Sequence, residues 1–293
     1  MAFTLNRLSG AGGAEVTGLD LSATNFSTGG GNLAGELRQA WLDAGGILVV
    51  RDQHLTPEQH IAFAGHFGPL FGAADEDPLQ DTVSRYIHPD HPEIYRVSNK
   101  LDETGEPLGR ARAGTYWHSD VSFRERPAGA SILVAREIPA IGGDTLFANL
   151  TAAYEALSDG MKAMLAPLHA IHDFAVAAAT QYARPIVVTD DLEGGNRARH
   201  PVVRTHAETG AKSLFANPGF TAGLEGFSPE ESEAVLGPLY RHATRPEFIY
   251  RHSWQPDDLL IWDNRTLMHF AVADYGSEPR YMERTTCIGD RPV

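Results

Sequence analysis

The sequence predicts a mainly β fold with a few flanking helices. Short β-type runs recur along the chain, and clusters of Gly, Pro and Asp bound them. Helix-start signals stand between these runs. No internal repeat is evident and no Gly-, Ser- or Pro-rich linker divides the 293 residues, so residues 1–293 are predicted to form a single domain. The pattern alone does not distinguish a jelly roll from another barrel.

The predicted strands are four short runs with strong β character. They cover residues 46–50, 130–135, 259–262 and 284–289. Two other stretches, residues 72–93 and 175–200, show no regular pattern. Long loops within a compact domain often cover a functional site. We therefore expect irregular structure in both stretches.

Two capping boxes mark predicted helix starts. Thr56-Pro57-Glu58-Gln59 has a capping Thr and a Pro at the first helical position, and it predicts a helix to about residue 65. Ser228-Pro229-Glu230-Glu231 repeats this arrangement before an apolar run that extends to about Arg241. A third helix is predicted over residues 151–165.

The composition narrows the possible partners. The formal net charge is −14, because 38 acidic residues outnumber 24 Lys and Arg residues, so binding to a nucleic acid is not expected. The single cysteine, Cys287, excludes an internal disulfide and suits a reducing compartment. No run approaches the ~18 consecutive apolar residues of a membrane span. We therefore expect a cytoplasmic protein without a membrane partner.

The most informative stretch is Tyr116-Trp117-His118-Ser119-Asp120-Val121-Ser122-Phe123. On a strand, His118 and Asp120 would project from the same face, because side chains two residues apart do so. One imidazole, one carboxylate and a distant second imidazole form the facial triad of non-haem Fe(II) oxygenases. The same pair would also arise from a half-buried histidine beside a solvated aspartate.

Three other His-x-acid pairs compete with this one. His88-Pro89-Asp90 and His91-Pro92-Glu93 lie in a Pro-rich stretch where a shared face is not assured. His206-Ala207-Glu208 leads into a Thr-Gly turn. Because only His118 and Asp120 lie in an alternating run flanked by aromatic residues, they are the preferred candidates.

His269 is the candidate for the third ligand. It follows a strand-like run and a polar turn, and Arg280 and Arg284 stand eleven and fifteen residues further on. Taken alone, the simplest interpretation of His269 is a core histidine beside Phe270.

Several short segments, taken in order and at their spacing, resemble the taurine dioxygenase and 2,4-dichlorophenoxyacetate dioxygenase family. The resemblance runs from about residue 13 to about residue 290. It is carried by GAEVTGLDLS (residues 13–22), RDQHLTPEQHIAFAGHFG (51–68), WHSDVSF (117–123), Gly142-Gly143-Asp144-Thr145, HPVVRTH (200–206), and WDNRTLMH (262–269) followed by Arg280 and Arg284. It implies a double-stranded β-helix, or jelly-roll, core.

The resemblance also implies catalytic and cosubstrate roles. His118, Asp120 and His269 would hold the catalytic Fe(II). Arg280 and the Thr145 hydroxyl would bind the distal carboxylate of the cosubstrate 2-oxoglutarate, because a planar guanidinium matches a carboxylate through two parallel hydrogen bonds. The reaction would consume O2, release succinate and CO2, and hydroxylate the substrate, with C–S or C–O cleavage in some cases.

The substrate implied by the resemblance is a small anionic organic molecule. Arg284 would bind its anionic group, and Val121 and Phe220 would make apolar contacts. Four positions depart from the taurine enzymes, namely Ala73, Glu76, Gly114 and Ala178. Of these, Gly114 replaces an Asn that contacts substrate. The candidates are a sulfonate such as taurine, an alkyl sulfate ester or an aryloxyalkanoate. The smaller side chains indicate a wider pocket, which favours a longer alkyl sulfonate, a sulfate ester or an aryloxyalkanoate over taurine itself.

An alternative from another functional class remains open. A non-catalytic jelly-roll module could use the same His and Asp ligands to bind a metal or an anion. Such a module would not require Thr145 and Arg280 at the spacing that suits 2-oxoglutarate. In either case we expect a homo-oligomer, a dimer or a tetramer.

Overall fold

The computed structural model describes residues 3–26, 31–73, 86–181 and 196–293. Over these residues the chain is mainly β with flanking helices, as predicted. The strands are β1 (Thr4–Ser9), β2 (Gly12–Thr17), β3 (Ile47–Val50), β4 (Tyr95–Ser98), β5 (Ala128–Glu137), β6 (Thr145–Asn149), β7 (His169–Asp173), β8 (Arg197–Pro201), β9 (Val203–Thr205), β10 (Lys212–Leu214), β11 (Thr221–Leu224), β12 (Ile249–His252), β13 (Leu259–Asp263), β14 (Leu267–Ala271) and β15 (Tyr281–Ile288). The helices are α1 (Leu33–Asp43), α2 (Pro57–Ala64), α3 (Leu150–Glu155), α4 (Asp159–Leu165), α5 (Phe174–Gln181) and α6 (Pro229–Ala243).

The strands form one large sheet and three small ones. The large sheet has seven strands in the order β1-β2-β3-β13-β5-β15-β4, and only β2 and β3 pair in parallel within it. The small sheets have the orders β12-β6-β14, β11-β7-β8 and β10-β9. The β14 strand therefore lies beside β6 and not beside β13, which precedes it in the chain.

The central strands of the large sheet are buried on both faces. In β13, Leu260 and Trp262 pack in a cluster with Phe147 of β6. Leu259 and Ile261 pack in a second cluster that includes side chains of α1 and α2. Because successive strand side chains point to opposite faces, these residues alternate between the two clusters. One face of the large sheet thus packs on the β12-β6-β14 sheet, and the other packs on the helices.

Most of the predicted elements are confirmed. The four predicted strands correspond to β3, β5, β13 and β15, with an overrun of one residue at the start of β3 and at the end of β15, and both capping boxes are present at the starts of α2 and α6. The single helix predicted over residues 151–165 is wrong. The backbone of Ser158 is extended (φ −65°, ψ 154°), and its side chain accepts a hydrogen bond from Met161 N–H. Ser158 therefore caps a new helix, and α3 ends before it.

The predictions of irregular structure have mixed outcomes. The prediction of irregular structure over residues 175–200 is wrong for the described part of that stretch, because α5 extends to Gln181 and β8 begins at Arg197. Residues 74–85 and 182–195 lie outside the described residues, and Glu76 is among them. The backbone of Ala178 belongs to α5, but its side chain is also outside the description. No helix in the described ranges is both long and apolar enough to cross a membrane.

Candidate active site

Two backbone hydrogen bonds join His118 to His269. The His118 N–H donates to the His269 carbonyl at 3.0 Å, and the His269 N–H donates to the His118 carbonyl at 2.7 Å. The two imidazole rings are consequently close, with centroids 4.1 Å apart. The prediction that His118 and Asp120 lie on a strand is wrong, since His118 forms only this isolated bridge and a turn begins at Asp120. The turn nevertheless directs the Asp120 carboxylate to the two rings.

His118, Asp120 and His269 form a candidate metal site. Each offers one ligand atom, and these atoms lie within 4.8 Å of one another. The three side chains are buried, and His118 Nε2 is 3.6 Å from Asp120 Oδ1. Among the described residues, no other group of three His, Cys, Asp or Glu side chains meets the same criterion.

The competing His-x-acid pairs belong to no such cluster among the described residues. His88 Nδ1 accepts a hydrogen bond from Asp90 N–H, and His91 lies 3.4 Å from Glu58 at the surface. His206 is buried, but its Nε2 contacts Asp263 at 3.0 Å rather than Glu208. His118 and Asp120 therefore stay the preferred candidates, because they alone among these pairs belong to a three-residue cluster in the described part of the chain.

The donor set fits a non-haem iron centre. The His118 Nδ1 is 2.8 Å from the Tyr116 carbonyl, which can only accept, so Nδ1 carries the proton and Nε2 keeps its lone pair for a metal. The His269 Nδ1 is buried and has no hydrogen-bond partner within the described part of the chain. Two imidazole nitrogens and one carboxylate oxygen, open on the cavity side, are the ligands of the Fe(II) oxygenase triad.

A buried hydrogen-bond network orients Asp120. Its Oδ2 accepts from the Ser131 hydroxyl at 2.8 Å, and its backbone N–H donates to Asn264 Oδ1 at 3.0 Å. The Asn264 amide also donates to Ser131 Oγ at 2.9 Å and accepts from Trp262 Nε1 at 3.0 Å. Because Ser131 occupies Oδ2, the other oxygen of Asp120 is the one that faces His118.

Burial and charge around the triad favour an ionised Asp120 and a neutral His269. Burial alone would raise the pKa of Asp120, but the Arg284 guanidinium and the neighbouring histidines hold it well below its ordinary value. The Arg284 Nη1 donates to Asp120 Oδ1 at 2.8 Å. Burial, with the nearby His118, lowers the pKa of His269 well below its ordinary value. Both protonation states are the ones that bind a metal.

The triad opens into one cavity that brings together all the residues predicted for the site. Its lining includes His118, Asp120, Val121, Thr145, Phe220, His269, Arg280, Arg284 and Gly114. Arg284 of β15 and Arg280, which directly precedes that strand, both line this cavity. Ala73 is not part of the described lining.

Arg280 is a buried cation without an acidic partner. It is 4% exposed, and no salt bridge involves it among the described residues. Its Nη2 lies 3.5 Å from the Gly143 carbonyl, its Nε has no hydrogen-bond partner in this part of the chain, and the guanidinium packs over the Tyr275 ring. Burial lowers the pKa of Arg280 from its usual value. A buried charge of this kind is costly unless a ligand pairs with it.

Two unusual backbone conformations shape the metal side of the cavity. Gly114 has φ +72°, and a Cβ there would stand 2.8 Å from His118 Cε1. A larger residue at this position would therefore press on the ligand ring. Val121 has φ +55°, which β-branched residues rarely adopt and which costs about 1–3 kcal/mol. This turn places its side chain in the cavity directly after Asp120.

The sequence reasoning missed several residues of the site. Tyr116, Phe123 and Phe174 line the cavity and pack with Phe220. Tyr116 and Phe123 belong to the stretch 116–123, but the sequence analysis gave them no role. Asn264 belongs to the WDNRTLMH motif (262–269), but it hydrogen-bonds to Ser131 of β5, which is distant in the chain. Ser131 carried no sequence signal beyond being a polar residue in an apolar strand.

Comparison with known proteins places these features in a family. The sequence model described as "Taurine catabolism dioxygenase TauD, TfdA family" matches residues 5–286. The chain is 34% identical over 294 residues to the (S)-phenoxypropionate/alpha-ketoglutarate-dioxygenase of Sphingobium herbicidovorans, covering 99% of this chain and 96% of that protein. It is 36% identical over 262 residues to the alpha-ketoglutarate-dependent 2,4-dichlorophenoxyacetate dioxygenase of Cupriavidus pinatubonensis, covering 86% and 88%.

A solved structure shows the same similarity in three dimensions. The crystal structure of AAD-2 in complex with Mn(II) and N-oxalylglycine is 32% identical to this chain, with a TM-score of 0.79, and the match covers 100% of this chain and 99% of that one. The family match and the two relatives each cover most of the chain. The chain belongs to the TauD, TfdA family of 2-oxoglutarate-dependent dioxygenases.

Proposed function

We propose that this protein hydroxylates small organic anions with an apolar body, foremost aryloxyalkanoates, using Fe(II), 2-oxoglutarate and O2. The observation that carries the proposal is Arg280, a buried guanidinium without an acidic partner among the described residues. It lies in the same cavity as the His118, Asp120 and His269 triad. A metal-binding module without a cosubstrate would have no use for this costly charge, which argues against the non-catalytic alternative.

The cosubstrate is assigned to the Arg280 side of the cavity. A dicarboxylate could place one carboxylate on the Arg280 guanidinium and the Thr145 hydroxyl, and direct its ketoacid end to the metal side. Thr145 is 4% exposed and begins β6, so it is held by strand pairing rather than in a free turn. The guanidinium also pairs bidentately with a carboxylate in a way that a lysine does not.

The triad would hold Fe(II) through His118, Asp120 and His269. When bound, the metal supplies the O2-dependent oxidation in which 2-oxoglutarate becomes succinate and CO2 and the substrate gains a hydroxyl group. The protein residues orient the reactants and exclude water. Ser131 and Asn264 fix the Asp120 carboxylate so that one oxygen faces the metal position.

Arg284 is the proposed partner of the substrate anion. It bonds Asp120 through Nη1, but its buried Nε has no hydrogen-bond partner among the described residues. Donors on this side chain are thus available to a second anion in the cavity. The guanidinium also packs over the Tyr95 ring, which holds it in place from the other side.

The apolar lining favours a bulky substrate over taurine. Phe123, Phe174 and Phe220 pack together with ring centroids 5.0 to 6.5 Å apart, and Tyr116 lies 6.0 Å from Phe220. Such aromatic groups stack favourably with an aryl ring. A carboxylate would pair best with the ammonium group of taurine, and among the described lining residues only Asp120 has one. That carboxylate is committed to the metal and Arg284.

We also propose a fold type, a domain organisation, an oligomeric state and a cellular location for the protein. We assign a jelly-roll core, supported by the packing of the seven-stranded sheet on the β12-β6-β14 sheet. One domain over residues 1–293 is supported because the core clusters share the strands of the large sheet. A homo-oligomer is supported by exposed large apolar side chains such as Leu101 and Ile141. A cytoplasmic location is supported by the single, buried and unpaired Cys287.

The substrate class is tested by measuring succinate formation with a matched panel. The panel holds an aryloxypropionate, an unbranched alkyl sulfate ester and taurine, each with Fe(II), 2-oxoglutarate and O2. The aryloxypropionate should give the highest kcat/KM and taurine the lowest. If the sulfate ester is preferred, the proposed binding of an anionic group is supported, but the proposed aryloxyalkanoate substrate is wrong. If taurine is preferred, the argument from the aromatic lining is wrong.

A further inference from the structure

Trp254 is buried directly behind Thr145. It is 7% exposed and is not among the described residues that line the cavity. Its indole Nε1–H donates to Thr145 Oγ1 at 3.0 Å. No other hydrogen bond of the Thr145 hydroxyl exists among the described residues. This one contact links the tryptophan to the corner of the cavity that also contains Arg280.

The chemistry of the two groups fixes the direction of the Thr145 hydroxyl. An indole N–H only donates, whereas a hydroxyl has one proton and two acceptor lone pairs. Thr145 must therefore accept from Trp254, and its own proton remains available to an acceptor. The neighbouring Arg280 guanidinium cannot accept it. The Thr145 proton and the Arg280 N–H groups are therefore donors on one cavity, which suits a carboxylate.

The position of Trp254 is determined by residues away from the cavity. Its ring packs edge-on against His252, with centroids 4.5 Å apart and an interplanar angle of 88°. The His252 ring is itself held by two hydrogen bonds, between Nδ1 and the Tyr250 hydroxyl at 2.8 Å and between Nε2 and Asp258 Oδ2 at 3.2 Å. These residues lie on β12 and on the turn before β13, and none of them lines the cavity in the described part of the chain.

We infer that Trp254 is a positioning residue for 2-oxoglutarate, acting through the Thr145 hydroxyl. This inference rests on the proposed function, since it assumes that the distal carboxylate lies against Thr145 and Arg280. Without the indole N–H, the Thr145 hydroxyl is free to rotate and to accept a hydrogen bond from Arg280. The Thr145 proton would then no longer point to the carboxylate, and the hydrogen bond from Arg280 to the carboxylate would be weaker. The metal ligands and the substrate side of the cavity are not involved.

The first test is Trp254→Phe, which keeps an aromatic ring and removes the N–H. Calorimetric titration of 2-oxoglutarate into anaerobic Fe(II)-loaded protein should show a Kd raised about 5- to 20-fold. This is less than the loss of a whole hydrogen bond to a charged group, because the Thr145 donor is misdirected rather than removed. The KM for 2-oxoglutarate should rise by a similar factor, while kcat at saturating 2-oxoglutarate and the affinity for Fe(II) stay within twofold. A purely structural role would instead lower kcat or the metal affinity.

Trp41→Phe is the matched control. Trp41 is also buried and its indole N–H donates to the Gly46 carbonyl at 2.9 Å, far along the chain from Thr145. This variant loses the same kind of hydrogen bond and should keep the wild-type Kd for 2-oxoglutarate.

A double-mutant cycle with Thr145→Val decides whether the effect passes through the hydroxyl. In the Thr145→Val background, Trp254→Phe should weaken 2-oxoglutarate binding no further. An equal additional loss in that background would overturn the inference, and so would a Kd within twofold of wild type for Trp254→Phe alone. A wild-type protein that binds no 2-oxoglutarate would overturn the proposed function instead, so the two failures are distinguishable.

Discussion

Arg280 and Arg284 line the same cavity but differ in their surroundings. Arg284 already pairs with a carboxylate, that of Asp120, whereas Arg280 has no acidic partner among the described residues. The two guanidinium groups therefore have different binding capacities even though they are four residues apart. This difference makes their proposed roles separable by mutation.

For Arg280→Ala we expect a steep rise in the apparent KM for 2-oxoglutarate, whichever substrate is used. Removing one partner of a buried, hydrogen-bonded charge pair costs about 2–5 kcal/mol, or roughly 30-fold to several thousand-fold in affinity. Arg280→Lys should recover only part of the loss, because a point charge cannot form the bidentate pair. A KM for 2-oxoglutarate within twofold of wild type in Arg280→Ala would remove Arg280 from the cosubstrate site.

Arg284→Ala should spare 2-oxoglutarate and weaken the anionic substrate. Slow succinate formation without substrate should persist, while the KM for the best anionic substrate rises by about 30-fold or more. The variant should also bind Fe(II) at least as tightly as wild type, because Arg284 no longer neutralises Asp120. Saturation curves for both ligands and a metal titration measure these effects. Unchanged affinity for the substrate anion would show that another group binds it.

At the scale of elements, the turn between β13 and β14 has a role in the metal site. Asn264 in this turn connects three elements, since it bonds the Asp120 backbone, Ser131 of β5 and Trp262 of β13. The same turn delivers His269, which lies in β14. One short segment thus positions a metal ligand directly and a second one through hydrogen bonds.

Asn264→Ala should lower the affinity for Fe(II) by about 10- to 100-fold, the usual effect of removing a residue that orients a metal ligand. Asn149→Ala is the control, because Asn149 caps α3 and bonds the Ala11 carbonyl away from the site. Both variants should lose stability, but only Asn264→Ala should lose metal affinity. Equal metal affinities for the two variants would show that Asn264 acts only in folding.

The elements also show how far the sequence could predict this structure. The capping boxes and the β-type runs depend on neighbouring residues, so they predicted α2, α6 and four strands. The break at Ser158 was missed because its capping hydrogen bond competes with continued helical propensity. The triad was predicted by motif, whereas Ser131 and Trp254 were not, because their roles depend on contacts between strands distant in the chain.

At the scale of the whole molecule, buried histidines make stability depend on pH. Burial lowers the pKa of His60 and His200 to about 4 and that of His172 to about 3. In the unfolded chain these histidines titrate near pH 6.5. Between pH 6.5 and pH 4 the unfolded state therefore binds more protons than the folded state, so the free energy of unfolding falls as the pH falls.

We expect denaturant unfolding to show lower stability at pH 5 than at pH 7. Each histidine that stays neutral in the folded state should contribute a loss of up to about 2 kcal/mol at pH 5. His60→Gln should make the pH dependence of the free energy of unfolding shallower than in wild type, because one of the buried histidines is then gone. Equal stability at both pH values would show that these histidines are protonated in the folded protein.

The central claim is that the His118, Asp120 and His269 triad supports 2-oxoglutarate-dependent oxidation. The most direct measurement is succinate formation from 2-oxoglutarate by purified protein, with Fe(II) and O2 supplied or withheld, alongside His118→Ala and His269→Ala. Turnover should require Fe(II) and O2 together, stop on chelation, and be absent in both variants, whose circular dichroism should match wild type because the large core does not depend on the metal. Undiminished turnover in metal-free protein under nitrogen, or full activity in either variant, would contradict the account.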